Sequence, residues 1–148
     1  MAHINLIGPV NGKTPSIDLT AFVAWRAVVL GDVELGPQVN VWYGCALRGD
    51  INWINMSARS NIQDGTMINV GHKGPGTLVG SEVVIGHRVV LHSCVVEDQM
   101  LIGMGAMVLD YARVGCGAVV GAGSVVAPEQ EIPPGGLALG CRPRSSGR

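Results

Sequence analysis

An all-β fold, a parallel β-helix wound from six-residue repeats, is predicted for this chain of 148 residues by three observations. An aliphatic residue returns at every sixth position over most of the length. Glycine is abundant, with 22 residues, whereas aromatics make up only 4% and include one Phe, so the core must be aliphatic and the turns tight. The third observation is the period itself, which matches neither a helix at about 3.6 residues per turn nor strands spaced about 8–12 residues apart. It matches the hexapeptide solenoid, in which each repeat is one short strand and a turn. Three repeats close a triangular coil, and stacked coils bury the recurring residues in a central column.

Residues 1–16 predict an irregular lead-in, with Gly8-Pro9 and Asn11-Gly12 as turn signals. The count then runs through Ile17, Val23, Val29, Leu35, Val41 and Leu47, and breaks at Arg48–Trp53. It resumes at Met56, Ile62 and Ile68, and breaks again over 69–77, where Gly71, Gly74, Pro75 and Gly76 predict a loop. The longest run is Leu78, Val84, Val90, Val96, Ile102, Val108, Val114, Val120 and Val126. Small residues four further on, such as Ala106, Ala112, Ala118 and Ser124, suit the space beside the column. Glycines after Ile102, Val114 and Val120 suit tight corners. Pro128, Pro133, Pro134, Gly135 and Gly136 mark the end. The expectation is a single domain over 1–148, with a β-helix over 17–128 of about six coils (three repeats each) and a tail over 129–148.

A net charge of −1 argues against nucleic acid or an anionic membrane as partner, and the basic Arg142, Arg144 and Arg148 read as a solvated terminus. No apolar run approaches about 18 residues, so no membrane span is predicted. Cys45, Cys94, Cys116 and Cys141 lack CxxC spacing and no export signal is visible, which predicts reduced thiols and a cytoplasmic protein. Among the methionines, Met100, Met104 and Met107 are expected to fill core or interface. Trp42 and Trp53 are expected to pack near the Arg48-Gly49-Asp50 corner.

Several peptides carry a resemblance. Val41-Trp-Tyr-Gly-Cys-Ala-Leu-Arg-Gly-Asp50, Asn61-Ile-Gln-Asp-Gly-Thr66, Ile85-Gly-His87 with Leu91-His92, Ile102-Gly-Met-Gly-Ala106 and Val120-Gly-Ala-Gly-Ser124 together resemble the γ-class carbonic anhydrase-like proteins over roughly residues 12–141. The resemblance implies a left-handed winding, an exception to the usual right-handed crossover. It also implies a homotrimer whose neighbouring subunits hold a metal between them through three histidines, and the hydration of CO2 to bicarbonate by a metal-bound hydroxide. His87 falls three after Val84 and His92 two after Val90, which puts them about a corner apart. One subunit would struggle to aim both at one ion, whereas threefold symmetry can set His87 of one subunit opposite His92 of the next. Zinc suits imidazole ligands, and Co2+ or Fe2+ would also serve.

The departures are equally specific. Asn69 stands where the family's NIQDGTxIHV peptide has its first ligand histidine, and a neutral amide is a poor zinc ligand. His72, in the glycine-rich loop, is the other candidate for that place, while His3 lies near the terminus. By the same resemblance Gln63 would orient the attacking hydroxide, with Asn61 and Asp64 beside it, and Arg48 and Asp50 would pair at the trimer interface. No glutamate occurs between Glu34 and Glu82, so the family's acidic proton shuttle has no counterpart and proton export would fall to buffer or His72. Leu137-Ala-Leu-Gly140 lacks the family's tyrosine, and the usual C-terminal helix looks truncated or missing. Three functions follow: a metalloenzyme with slow CO2 hydration, a trimeric binding or assembly module that has lost the metal, or a hexapeptide acyltransferase using acyl-CoA.

Overall fold

A computed structural model describes residues 6–141, and every regular element in it is a strand. All the strand pairs are parallel, as a solenoid requires, because each rung of a face lies over the same part of the coil before it. The first face includes Leu6–Gly8, residues 28–31 and 46–49, Met67–Asn69, Val90–His92, Met107–Val108 and Val125–Val126. The second face includes Ser16–Ile17, residues 33–35 and 54–56, Thr77–Val79, Val95–Val96, Arg113–Val114 and Glu131–Ile132. Val28–Leu35 and Ala46–Met56 run unbroken through the corner between these two faces, which merges them into one 12-stranded sheet. The third face is a separate 7-stranded sheet from Phe22–Val23 to Leu137–Ala138.

The solenoid therefore has about seven coils, one more than the aliphatic count gives. Leu6–Gly8, within the expected lead-in, and Ser16–Ile17, at its boundary, pair with Val28–Leu35. Glu131–Ile132 and Leu137–Ala138 continue the ladder past residue 128. Pro133 and Pro134 do not stop it, because they occupy a corner, where no ladder N–H is needed and the following Gly135 takes the left-handed conformation (φ 67°). Arg142, Arg144, Arg148 and His3 lie outside the described residues.

The column is as expected at its ends and different in its middle. Val29, Leu47, Ile68, Val108 and Val126 are buried on the first face, and Ala106, Ala112, Ala118 and Ser124 are buried beside the column. In the third run, however, the inward residues are Val79, Ile85 and Leu91, all fully buried, rather than Leu78, Val84 and Val90; Val84 is 39% exposed. Parallel pairing fixes this register, with Met56 opposite Val79, Ile62 opposite Ile85 and Ile68 opposite Leu91. The phase is recovered between Leu91 and Val96, which are five residues apart, so one coil is a residue short at His92-Ser93-Cys94. A one-residue slip inverts every side chain of a strand; the phase buries the larger aliphatic at Val84-Ile85 and Val90-Leu91, and carries the smaller Val79 inward in place of Leu78.

All the changes of coil length fall at the corner between the first and second faces. The break at 48–53 is absorbed in the continuous strand Ala46–Met56, and the residues of 70–76 form a loop. That loop is tied down: Tyr111 Oη donates to Lys73 O (3.1 Å), Asn52 Nδ2 to Gly74 O (3.0 Å) and the Gly71 N–H to Ser93 Oγ (2.6 Å). A Cβ on Gly74 would collide with the Tyr111 ring, so the ring can seal the loop only because position 74 is glycine. Trp53 packs at this corner against Gly76. Trp42 does not; it lies at the corner between the third and first faces, where it stacks on Phe22 at 5.2 Å and donates to Asn61 Oδ1 at 2.7 Å. The strand Asn40–Val41 ends just before Trp42, which therefore opens the corner after the third face, whereas Arg48 lies within Ala46–Met56 on the way to the next corner.

The outward sides differ in character. Met67 and Met107 on the first face, and Val84, Leu101 and Leu137 on the third, are exposed, as is Met104 at the corner between them; Met100 is core. The second face carries the charged pairs, with Leu78 and Val95 between them: Asn55 donates to Glu34, and Arg113 pairs with Glu97. The Cys116 N–H and the Arg113 guanidinium together hold the Glu97 carboxyl below its ordinary range. No helix among the described residues is long and apolar enough to cross a membrane.

Candidate metal-binding corners

Two corners carry the candidate residues. At the corner between the third and first faces, Asn61–Ile62 and Val84–Ile85 are consecutive rungs, so Asp64 and His87 follow them in step. The backbone there is held by the Arg88 N–H donating to Asp64 O (3.0 Å) and the Gly105 N–H donating to His87 O (2.9 Å). Arg88 adopts φ 56° where Gly65 and Gly105 stand in the coils on either side, a conformation that costs a non-glycine residue about 1 kcal/mol. His87 is thereby set outward, its Nδ1 3.2 Å from Asp64 Oδ2, in an open cleft of about 540 Å³ lined by Asp64, His87, Arg88, Met104 and Gly105. Gln63 lies on the same rung as Asp64, its N–H donating to Ile85 O (2.9 Å). Asn61 has its carbonyl oxygen committed to Trp42.

At the corner between the first and second faces, Asn69 and His92 are direct partners on neighbouring rungs. His92 Nδ1 lies 3.0 Å from Asp110 Oδ1, which comes from the next coil. An ionised carboxylate only accepts, so the ring nitrogen facing it carries the proton and the lone pair of a neutral imidazole falls on Nε2. Gly71 lies against this pair; a Cβ there would stand 3.4 Å from Asp110 Oδ1 and 3.6 Å from His92 Cε1. Asn69 is turned back on its own backbone, with Oδ1 accepting the Val70 N–H at 2.9 Å.

His72 is placed elsewhere. It lines a separate cleft of about 360 Å³ with Lys13, Asp32, Asp50 and Asn52. Arg48 Nε faces Asp50 Oδ2 at 3.3 Å within the chain, and Asp50 Oδ1 is buried with no hydrogen-bond partner among the described residues. His87 and His92 thus stand on different corners of the triangle, and among the described residues no three His, Cys, Asp or Glu side chains converge on one point. Asp110 is absent from the sequence-derived set. Its signal is position, a carboxylate 18 residues after His92, where the next coil passes.

Cys94, two residues from His92, is fully buried, and burial pushes its thiol up to about 12; burial also raises the Cys45 thiol. Burial closes both thiols off from solvent and disfavours the thiolate at either place. Of the four free cysteines, Cys116 and Cys141 are exposed. A thiol-reactive disulfide reagent at about pH 8 is expected to modify these two rapidly and Cys45 and Cys94 only after unfolding. Fast reaction of Cys94 in the folded protein would contradict its burial.

For a divalent metal, the donor chemistry fits in part. His92 has its Nδ1 engaged by a carboxylate, the arrangement that orients histidine ligands in metal sites, and His87 has a carboxylate 3.2 Å from its Nδ1. The third expected donor is the Asn69 amide, already engaged by Val70.

No protein-family model matches the chain. It is 44% identical over 128 residues to the mitochondrial γ carbonic anhydrase 2 of Arabidopsis thaliana, a match that covers 83% of this chain and 46% of that protein. A Methanocaldococcus jannaschii protein named as a probable carbonic anhydrase is 42% identical over 118 residues, covering 80% of this chain and 74% of its own length. The chain spans about half the length of the Arabidopsis relatives it matches. Among solved structures, a hexapeptide transferase family protein from Anaplasma phagocytophilum superposes with a TM-score of 0.88 at 37% identity, over 92% of this chain and 80% of that one. The all-parallel coils, the six-residue period and these relatives have one reading: the chain belongs to the γ-class carbonic anhydrase-like family of hexapeptide-repeat proteins and has its left-handed β-helix fold.

Proposed function

We propose that this protein is a homotrimer that interconverts CO2 and bicarbonate at sites shared by neighbouring subunits, with His87 of one subunit and His92 of the next as imidazole donors to a divalent metal. The observation that carries this reading is that each ring has its Nδ1 within 3.2 Å of a carboxylate, as a directed hydrogen bond at His92, and that the two rings stand at corners one chain cannot bring together. The apolar outward sides of the first and third faces flank the His87 corner and suit burial against other copies, whereas the charged second face suits water. Arg48 and Asp50 fit the subunit boundary, where the unused acceptor Oδ1 of Asp50 can find a donor.

Zinc, with Co2+ or Fe2+ as substitutes, would supply Lewis acidity that makes water nucleophilic near neutral pH. This chain's residues do the rest. Gln63 and Asp64 line the rung next to His87 and hold substrate water by hydrogen bonds, and Asn61, braced by Trp42, fixes their peptide. Asn69 supplies a neutral amide at the third place, which makes occupancy weak and turnover slow. His72 opens onto a different cleft and is assigned no ligand role. Free thiols suit a reducing compartment such as the cytoplasm, although the named Arabidopsis relatives are mitochondrial.

Elemental analysis of untagged protein tests this. After reconstitution with excess zinc about one metal ion per chain is expected, with loss in a His87→Ala/His92→Ala double variant. Near-zero metal after reconstitution with zinc would sink the anhydrase reading and leave a trimeric binding scaffold. Turnover of acetyl-CoA by that metal-free protein would instead favour acyl transfer, for which the His92–Asp110 pair has the geometry of a general base.

A further inference from the structure

The structure assigns Asp110 as the positioning residue for His92: its carboxylate fixes the ring as the Nδ1–H tautomer and aims Nε2 away from the coil. As it bears on metal binding this rests on the function proposed above, but the orientation of the ring does not.

The two histidine–carboxylate pairs are not equivalent. Asp64 lies 3.2 Å from His87 at a half-exposed corner, without the alignment of a hydrogen bond. Asp110 makes a directed 3.0 Å hydrogen bond, and His92 is the less exposed of the two rings. Both partners of the second pair are held from several sides. Val90–His92 is laddered to Met67–Asn69 before it and to Met107–Val108 after it, so the ring leaves a strand fixed on both edges. Asp110 sits in a corner closed by the Glu129 N–H donating to its carbonyl (2.9 Å) and by the Ala112 N–H donating to Leu109 O (3.0 Å). Next to it, the Tyr111 N–H donates to Ser93 O at 2.8 Å, which binds the Asp110 corner to the corner of His92.

Gly71 closes the third side. Its N–H donates to Ser93 Oγ, and the space a side chain would need is taken by Ser93 Oγ, Asp110 and His92 at 3.3–3.6 Å. The ring is therefore confined between the Gly71 backbone and the Asp110 carboxylate. The coil is one residue short here, so Leu91 on the first face and Val96 on the second are joined with only Ser93 (φ 46°) and its two neighbours to make the turn. A ring on so short a corner has few orientations, and Asp110 selects among them. Ionised carboxylate accepts only, so the selection also fixes which nitrogen carries the proton.

The test uses the full chain with 15N-labelled histidine. In metal-free protein, long-range 1H–15N correlation is expected to show His92 as the Nδ1–H tautomer. Asp110→Ala is expected to abolish that preference, while Asp110→Asn, which keeps a neutral acceptor in place, retains it in part. Zinc affinity, measured by chelator competition, is expected to fall about 10–100-fold in Asp110→Ala and less in Asp110→Asn. Asp64→Ala should leave the His92 signals unchanged. An unaltered His92 tautomer in Asp110→Ala, with the fold intact by circular dichroism, would overturn the assignment. So would a shift to Nε2–H in the wild type. Wild-type protein that takes up no zinc, yet shows the Asp110-dependent tautomer, would refute the metal function and leave the positioning role standing.

Discussion

Asn69→His is expected to tighten zinc binding on the order of 100-fold, the largest gain any single substitution should give. Zinc held by four ligands in small structural sites gains roughly 10–16 kcal/mol, or roughly 3 kcal/mol per ligand, which is roughly 100-fold in affinity. Position 69 is the right place for such a ligand because it is the direct rung partner of His92 on the same face. The imidazole would project from the strand end now occupied by an amide that is engaged by the Val70 N–H. Chelator competition on both proteins measures the gain, and the rate of CO2 hydration should rise with occupancy. An affinity within about threefold of the wild type would mean that position 69 does not face the metal and that the third donor comes from elsewhere.

Ile85→Ala is expected to destabilise the protein by about 2–5 kcal/mol, whereas Val84→Ala should change the stability of the dissociated chain by no more than about 0.5 kcal/mol. Ile85 is fully buried in the column between Ile62 and Ile102, and truncating it leaves a cavity that stacked rungs above and below cannot fill. Val84 is one residue away and faces outward. Urea unfolding at a fixed chain concentration distinguishes them, with a reversed order placing Val84 in the column. A substantial loss for Val84→Ala that disappears on dilution would locate the third face in a subunit contact.

These two positions show what the sequence made legible and what it hid. The period was plain wherever one aliphatic stood alone among small or polar neighbours, as at Leu35, Ile62 and Val114. It was ambiguous at Leu78-Val79, Val84-Ile85 and Val90-Leu91, where either residue of each pair can face inward by hydropathy. Only pairing to Met56, Ile62 and Ile68 in the coil before decides the phase. The shortened corner at His92–Cys94 then hides the slip, because counting in sixes from Val96 backwards lands on Val90. The proline-rich stretch was misleading for a related reason. A proline that would break a strand is harmless at a corner, and corners recur every few residues in this architecture.

Among the candidate residues, His87, His92, Asn61, Gln63 and Asp64 were legible because they sit in compact peptides. The partner carboxylate Asp110 was not, since it meets His92 only by lying one coil later. His72 illustrates the opposite limit. Three residues separate it from Asn69, but the ties from Tyr111, Asn52 and Ser93 hold its loop so that it opens onto the cleft with Lys13 and Asp50. Nearness along the chain says little about a loop fixed by residues from other coils.

The all-parallel ladder also determines how the molecule responds to force. Its inter-rung hydrogen bonds run along the solenoid axis, and each rung contacts mainly the rungs on either side of it. Tension applied between the two ends is therefore borne by one terminal coil at a time, as in the opening of a zipper, and not shared by a whole sheet in shear. Each coil of about 18 residues would release roughly 60 Å of chain as it peels away. The loop at 70–76 links four successive coils across one corner through Asn52, Ser93 and Tyr111, a clasp that peeling must open before it passes the His92 corner.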